Sequence, residues 1–233
     1  MITGAGRGIG RATALLFSEQ GAICVLASRT ESELKSLAAE IESKGGKALP
    51  VVCDVSKEED LDRLVSETVQ AFGRIDILVN NAGGGARNEV VHAQISDWDQ
   101  MLNINLRGAI ICAKKVVTQM IKQKSGVIIN ISSVAGLYGF PKSSVYCATK
   151  FGLRGFSKAL FQEVREEGIK VSTICPGYVD TPLIPQNRKV DRTKMMSPQD
   201  IARACLFVAT SSPQACPTEL VMVPQQDPQR GGA

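Results

Sequence analysis

Short apolar runs alternate with longer amphipathic segments along the whole chain. That is the pattern of βαβ units feeding a parallel sheet covered by helices on both faces. The apolar runs predict strands at Ile23 to Ala27, Ala48 to Val52, Ile75 to Asn80, Val127 to Ser132, Lys170 to Cys175 and Leu220 to Val223, with Met1 and Ile2 as the remnant of an earlier one. Helices fill the gaps. Their expected starts are Ser56 with Glu59, Ser96 with Asp99, and Ser197 with Pro198 and Asp200, where a side-chain oxygen can accept from first-turn amides. Gly168 suits a helix stop. With 233 residues, no internal repeat and no inner linker, the chain fits one core. The expected fold is a single-domain α/β Rossmann-like doubly wound parallel sheet over residues 1–223, followed by a flexible tail over 224–233 that is rich in Pro, Gln and Gly.

Composition narrows the function classes. The net charge of +4 is spread without a long Lys/Arg run, which argues against nucleic acid or a membrane surface and equally suits a phosphorylated cofactor. Apolar runs such as Val127 to Ile131 fall far short of the roughly 20 residues that span a bilayer, and no leader pattern opens the sequence. Seven cysteines, an odd number with no CxxC, argue against a disulfide framework and point to a reducing cytoplasm. One histidine, His92, leaves no material for a Ser-His-Asp triad or a His-rich site, so no metal is expected.

The opening Thr3-Gly4-Ala5-Gly6-Arg7-Gly8-Ile9-Gly10 leads into a helical pattern from Arg11 to Gln20. Backbone amides at such a helix start can face a pyrophosphate, and glycine is needed where a Cβ would hold it away. The turn alone is equally a plain strand-to-helix connection, because its spacing is not GxGxxG. The second strand adds direction. Dinucleotide folds place an acid about 20 residues past the glycines for the ribose 2′-hydroxyl, and here stand Ser28 and Arg29. Arg29, with Arg7, can fork onto a 2′-phosphate, which favours NADP(H) and leaves NAD(H) open. Each arginine alone reads as readily as a solvated surface residue.

Tyr146 and Lys150 stand four apart on one helical face. A nearby cation lowers a phenol's pKa from about 10 and lets it exchange a proton with a carbonyl oxygen. Ser133 follows the strand Val127 to Ser132, at the sheet edge where ligands bind, and its hydroxyl can meet a substrate oxygen. A packed Tyr beside a solvated Lys, and a turn-forming Ser, are the plain alternatives for each motif taken alone.

Taken together, these motifs resemble the short-chain dehydrogenase/reductase family over essentially the whole chain, in particular its 3-ketoacyl carrier-protein reductase-like members. TGxxxGxG matches at Thr3, Gly4, Gly8 and Gly10, the adenine-side pair at Asp54 and Val55, and NNAG at Asn80, Asn81, Ala82 and Gly83. The resemblance implies Asn105, Ser133, Tyr146 and Lys150 as catalytic residues. Ser133 would polarise the carbonyl and Tyr146 would be the acid or base. Lys150 would hold the nicotinamide ribose while lowering the Tyr146 pKa, and Asn105 would position a water in a relay to Lys150. Pro176, Gly177, Val179 and Thr181 match the loop facing the nicotinamide, and Arg7 with Arg29 is similar to NADP-preferring members. A homodimer or homotetramer is implied as well.

The ends depart from the family pattern. Only Met1 and Ile2 precede the glycine motif, where relatives carry a longer central strand, and the expectation is a shortened version of a longer chain. Cys216-Pro217-Thr218-Glu219 replaces the usual turn before the last strand, which bears on assembly. The segment from Pro182 to Met196 carries Arg188, Lys189, Arg192 and Lys194; these basic residues can meet an acidic carrier or a phosphorylated substrate, or simply be a solvated loop. Leu137, Tyr138, Phe140 and Tyr178 would give an apolar wall that suits ketoacyl thioesters, small ketones, diketones or steroids. Cys147 and Cys175 flank Tyr146 and Pro176, as small packing residues or as points of oxidative inhibition. Three readings stand: an NADPH-dependent carbonyl reductase acting on a small molecule, an oxidative alcohol dehydrogenase of the same fold, and a catalytically silent dinucleotide-binding sensor or scaffold.

Overall fold

In the computed structural model, which describes residues 1–187 and 189–230, seven parallel strands form one sheet in the order β3-β2-β1-β4-β5-β6-β7. The strands are β1 (Ile2–Thr3), β2 (Cys24–Ser28), β3 (Ala48–Val52), β4 (Ile77–Asn80), β5 (Gly126–Ile131), β6 (Ile169–Pro176) and β7 (Glu219–Met222). Each predicted strand is present within two residues. β-Branched side chains such as Val25, Val79, Ile128, Ile129, Val171 and Ile174 fill both faces, as a doubly covered parallel sheet requires.

The helices are α1 (Gly8–Glu19), α2 (Glu31–Ser43), α3 (Glu58–Phe72), α4 (Ile95–Leu102), α5 (Ala109–Gln123), α6 (Ser144–Val164) and α7 (Pro198–Thr210). Phe17 of α1, Leu34, Leu37 and Ile41 of α2, and Ile201 and Val208 of α7 cover one sheet face. On the other face Leu61 and Leu64 of α3, Val116 and Met120 of α5, and Leu160 of α6 close the second core layer. Each such side chain taken from water contributes about 1.5 to 3 kcal/mol. Among the described residues, no helix is long and apolar enough to cross a membrane.

Short as it is, β1 holds the centre. Ile2 pairs with Leu26 on one side and Val79 on the other, and Met1 joins the ladder through Val79 N to Met1 O at 2.9 Å. Chain order reverses across this strand. Loops leaving the carboxyl ends of β1 and β4 therefore diverge and open a crevice there.

Helix starts separate the expected signals. Ser197 forms a full capping box with Asp200 behind Pro198, as its sequence implies. Ser56 caps nothing: its amide and hydroxyl bond Asp54 Oδ1 at 3.0 and 2.7 Å, and α3 begins after Lys57. Ser96 lies inside α4, whose N-cap is Gln94. Gly168 takes φ 75° after the last turn of the α6 segment, the left-handed stop that glycine supplies. The described part of the tail lies against the body: Asp191 N donates to Pro228 O at 2.9 Å and Lys194 Nζ to Arg230 O at 2.9 Å.

Candidate active site

The glycine turn is shaped by close approach. Gly4 and Gly8 take φ 63° and 57°, which side chains rarely adopt. A Cβ at Gly10 would lie 2.3 Å from Gly4 O and 2.6 Å from Asn81 Nδ2, so the start of α1 sits directly on the end of β1. Asn81 ties the same point from β4, donating to Thr3 O at 3.0 Å and Gly4 O at 3.1 Å. Thr3 Oγ1 accepts from the amides of Asn81 and Ala82, both at 3.1 Å. Arg7, the N-cap of α1, places no side chain on the first turn, which leaves the amide end of the helix facing the crevice. Amides and dipole make that end a site for an anion.

A cleft of about 350 Å³ opens at this point. Its floor is the glycine turn with Gly4, Arg7, Gly8 and Ile9; Ser28 and Arg29 wall one side, Asp54 and Val55 the next, and Asn81, Ala82 and Gly83 the β4 side. Asn105 and Thr181 complete the predicted residues that reach it. Gly10 shapes the turn from behind. The Asp54 carboxyl is pulled up by burial, but hydrogen bonds from the Ser56 hydroxyl and amide, with the Arg29 charge, hold it below the usual range. Sequence reasoning missed Glu33, Gln100, Met101 and Ile104, which also line the cleft. Glu33, a carboxylate close behind the Ser28-Arg29 pair, carried a usable signal; the other three owe their place to the α4–α5 junction. The cradle fits a dinucleotide: positive-φ glycines where a side chain would intrude, a free helix start, and cations at the far wall.

Ser133, Tyr146 and Lys150 gather beside the cleft but do not line it. Ser133 follows β5; its Oγ accepts from Ala135 N at 3.1 Å and donates to Pro176 O at 3.4 Å. Tyr146 and Lys150 face the same way from the first two turns of α6, with Lys150 Nζ 5.7 Å from the centre of the Tyr146 ring. A Cβ on Gly85 would fall 3.6 Å from Tyr146 Cδ2, so the glycine run after β4 covers the phenol ring. Burial pushes the Tyr146 pKa up, and a hydrogen bond from Ser133 offsets part of that rise. Burial likewise brings Lys150 down to about 8. Here the structure differs from expectation. Lys150 donates to Ile131 O at 3.0 Å, and desolvation rather than the neighbouring cation governs the phenol in this arrangement.

Asn105 belongs to a π-helical turn, Asn103–Gly108, between α4 and α5. It is 1% exposed and its amide clamps Gly84, accepting from the Gly84 amide and donating to its carbonyl, both at 2.8 Å, with a further bond to Thr149 Oγ1 at 3.3 Å. A Cβ at Gly108 would lie 2.4 Å from Val55 O, which fixes this turn beside the cleft. A buried chain runs from Asn80 to Asn130 Oδ1 at 2.9 Å and from Asn130 to Ser157 Oγ at 2.8 Å, joining β4 and β5 to α6.

The Pro176–Gly177 segment is held by the last strand: Gly177 N donates to Met222 O at 2.7 Å. Arg154, one turn past Lys150, forks onto Glu219 at 2.6 and 3.0 Å and donates to Gly136 O at 2.8 Å, fastening the Ser133 turn and β7 to α6. Val179 is buried and bridges Met196; Thr181 packs on Gly8, where an added Cβ would meet its Cγ2 at 3.2 Å. Pro176, Gly177 and Val179 stand outside the cleft lining. Of the basic residues after Pro182, Arg192 pairs with Asp180 and donates to Ile184 O at 2.6 Å, and Lys194 pairs with Asp191 at 3.3 Å. Lys189 is exposed, and Arg188 lies outside the described residues. None of the four expected apolar wall residues lines the cleft, and Tyr138 is 64% exposed. Cys147 and Cys175 are buried, and burial raises the Cys175 thiol pKa, which suits packing.

Three comparisons agree with this geometry. The family profile described as short chain dehydrogenase matches residues 1–191. An uncharacterized oxidoreductase of Staphylococcus aureus is 36% identical, with 96% of each chain covered. The 3-oxoacyl-acyl-carrier-protein reductase FabG of Thermotoga maritima is 37% identical over 90% of this chain and 89% of its own. A solved metagenomic short-chain oxidoreductase in complex with NADP superposes with a TM-score of 0.85 at 31% identity, covering 97% of this chain and 96% of the other.

Proposed function

The chain belongs to the short-chain dehydrogenase/reductase family of NAD(P)-dependent oxidoreductases, and from that premise we propose that it is a carbonyl reductase preferring NADPH, with Tyr146 as its acid. The preference rests on Arg7 and Arg29, which enter the cleft where an NAD-type site would present a carboxylate at the end of the second strand. The bound dinucleotide supplies the hydride to a ketone carbon. Gly4, Gly8, Ile9 and Gly10 shape its phosphate seat; Asp54, Val55, Asn81, Ala82 and Gly83 flank its adenine and ribose side; Pro176, Gly177, Val179 and Thr181 belong to its nicotinamide side.

The protonation state of the site suits the reductive direction. The Tyr146 phenol, raised by burial above its ordinary value, carries its proton at neutral pH and can hand it to the oxygen that gains charge. The Ser133 hydroxyl donates to Pro176 O over a long 3.4 Å, and it can turn to a carbonyl oxygen. Lys150, near 8, is mostly charged at pH 7 and restores the proton behind Tyr146. Asn105 fixes Gly84, and with it the glycine cover of the phenol. Assembly as a homodimer or homotetramer in the cytoplasm belongs to the same reading. The substrate is a small-molecule ketone or the corresponding secondary alcohol; the FabG relative brings ketoacyl thioesters to the front of the candidates.

The test is oxidation of NADPH and NADH against small ketones, diketones and ketoacyl thioesters. Turnover with NADPH is expected, with the NADPH Kd raised about tenfold or more in Arg29→Ala, as loss of a charge-assisted fork implies. NADPH binding without turnover on any carbonyl or alcohol would favour the silent binding protein, and turnover only with NADP+ and alcohols would favour the oxidative dehydrogenase.

A further inference from the structure

The cleft that the two arginines enter also holds a carboxylate. Glu33 stands in the first turn of α2, four residues past Arg29, and lines the cleft together with Ser28, Arg29 and Thr30. Its side chain lies across the glycine turn: a Cβ added to Gly6 would come 2.4 Å from Glu33 Oε2 and 2.9 Å from Glu33 Cβ. The carboxylate therefore rests on the residue next to Arg7.

Of the other acids of the same helix, Glu42 is exposed on the outer surface and does not line the cleft, and the remaining two are paired. Glu31 pairs with Lys35 at 2.7 Å, and Glu40 with Arg11 and with Lys44. Among the described residues, no hydrogen bond or ion pair reaches the Glu33 carboxylate. A first-turn acid is stabilised by the helix dipole, which accounts for its tolerance but not for its aim into the cleft.

We propose that Glu33 is a specificity-determining residue that weakens the cleft's preference for a 2′-phosphate. An ionised carboxylate only accepts hydrogen bonds, so it suits a free ribose hydroxyl and opposes a phosphate dianion in the field of Arg7 and Arg29. The cleft then takes NADH alongside NADPH, with a selectivity smaller than its arginines alone would give. This deepens the assignment of the cleft as a dinucleotide site and rests on it.

The experiment titrates NADPH and NADH separately into the full chain and into Glu33→Gln and Glu33→Ala, following the fluorescence of the single tryptophan, Trp98. Thermal midpoints of all three report folding. Removing one opposing charge is expected to lower the NADPH Kd, leave the NADH Kd unchanged or raised, and widen the ratio of the two by about tenfold in both variants. The widening shrinks as salt rises, which a merely structural role for Glu33 would not produce. A ratio within about twofold of the parent, or a weakened NADPH, overturns the proposal. Failure of the parent to bind either dinucleotide overturns the cleft assignment and this proposal together. An unchanged NADPH Kd in Arg29→Ala overturns the arginine reading alone, and the Glu33 ratio still decides Glu33.

Discussion

The cleft at the β1/β4 crevice and the cluster beside it solve different problems. The cleft is built from backbone: glycines at positive φ, the open start of α1, and Asn81 stitching two strand ends together. Its cations, Arg7 and Arg29, stand in water. The cluster is built from side chains, the half-buried Ser133 and Tyr146 beside the buried Lys150, and desolvation raises Tyr146 and lowers Lys150. A backbone cradle binds through shape and is broken by volume. A desolvated cluster acts through protonation, and the fold carries it at a cost in stability.

The comparison breaks first at Gly10. A methyl group there would meet the Gly4 carbonyl oxygen at 2.3 Å, and that backbone cannot yield as the end of a flexible side chain would. Gly10→Ala is expected to cost about 3 kcal/mol of stability and to remove measurable dinucleotide binding, read by denaturant unfolding and by titration. Unaltered binding would mean that the turn is not the cradle.

Lys150→Met sharpens the other side with the opposite sign. Unfolded, the lysine keeps its ordinary 10.5; folded, it stands near 8, so it binds fewer protons in the folded chain between those values. Stability therefore rises with pH through that window, and the burial penalty is complete below pH 8. Replacing the charge by an apolar chain of similar length is expected to add about 1 to 2 kcal/mol near pH 7, after loss of the bond to Ile131 O, while turnover disappears. Thermal midpoints at pH 7 and pH 10 check the sign: the gain of the variant over the parent shrinks at the higher pH.

How much of this was legible depends on the range of the interaction. Strands β2 to β7 could be read because Val and Ile runs bounded by turns are local signals. The Ser197 box was legible for the same reason, since Pro198 fixes the first helical residue. Ser56 shows the limit: the same pattern fails because Asp54, two residues back, takes its hydroxyl first. The cleft residues from Gly4 to Asp54, and Asn81 to Gly83, follow from motif and strand order. The Arg154–Glu219 fork, the Asn80–Asn130–Ser157 chain and the π turn around Asn105 join residues far apart or depend on packing against Val55, and no short window encodes them. Lys150 pointing at Ile131 O is likewise a tertiary fact, and it moved the cause of the Tyr146 shift from charge to burial.

The central claim is that binding and proton transfer reside in separate parts of the molecule, and Tyr146→Phe tests it most directly. NADPH Kd and the rate of NADPH oxidation with an accepted carbonyl are measured on the same preparation. The account predicts a Kd within about threefold of the parent and turnover reduced by about 100-fold or more, the scale of a lost general acid. Turnover kept within about tenfold, or binding lost in step with turnover, would contradict it.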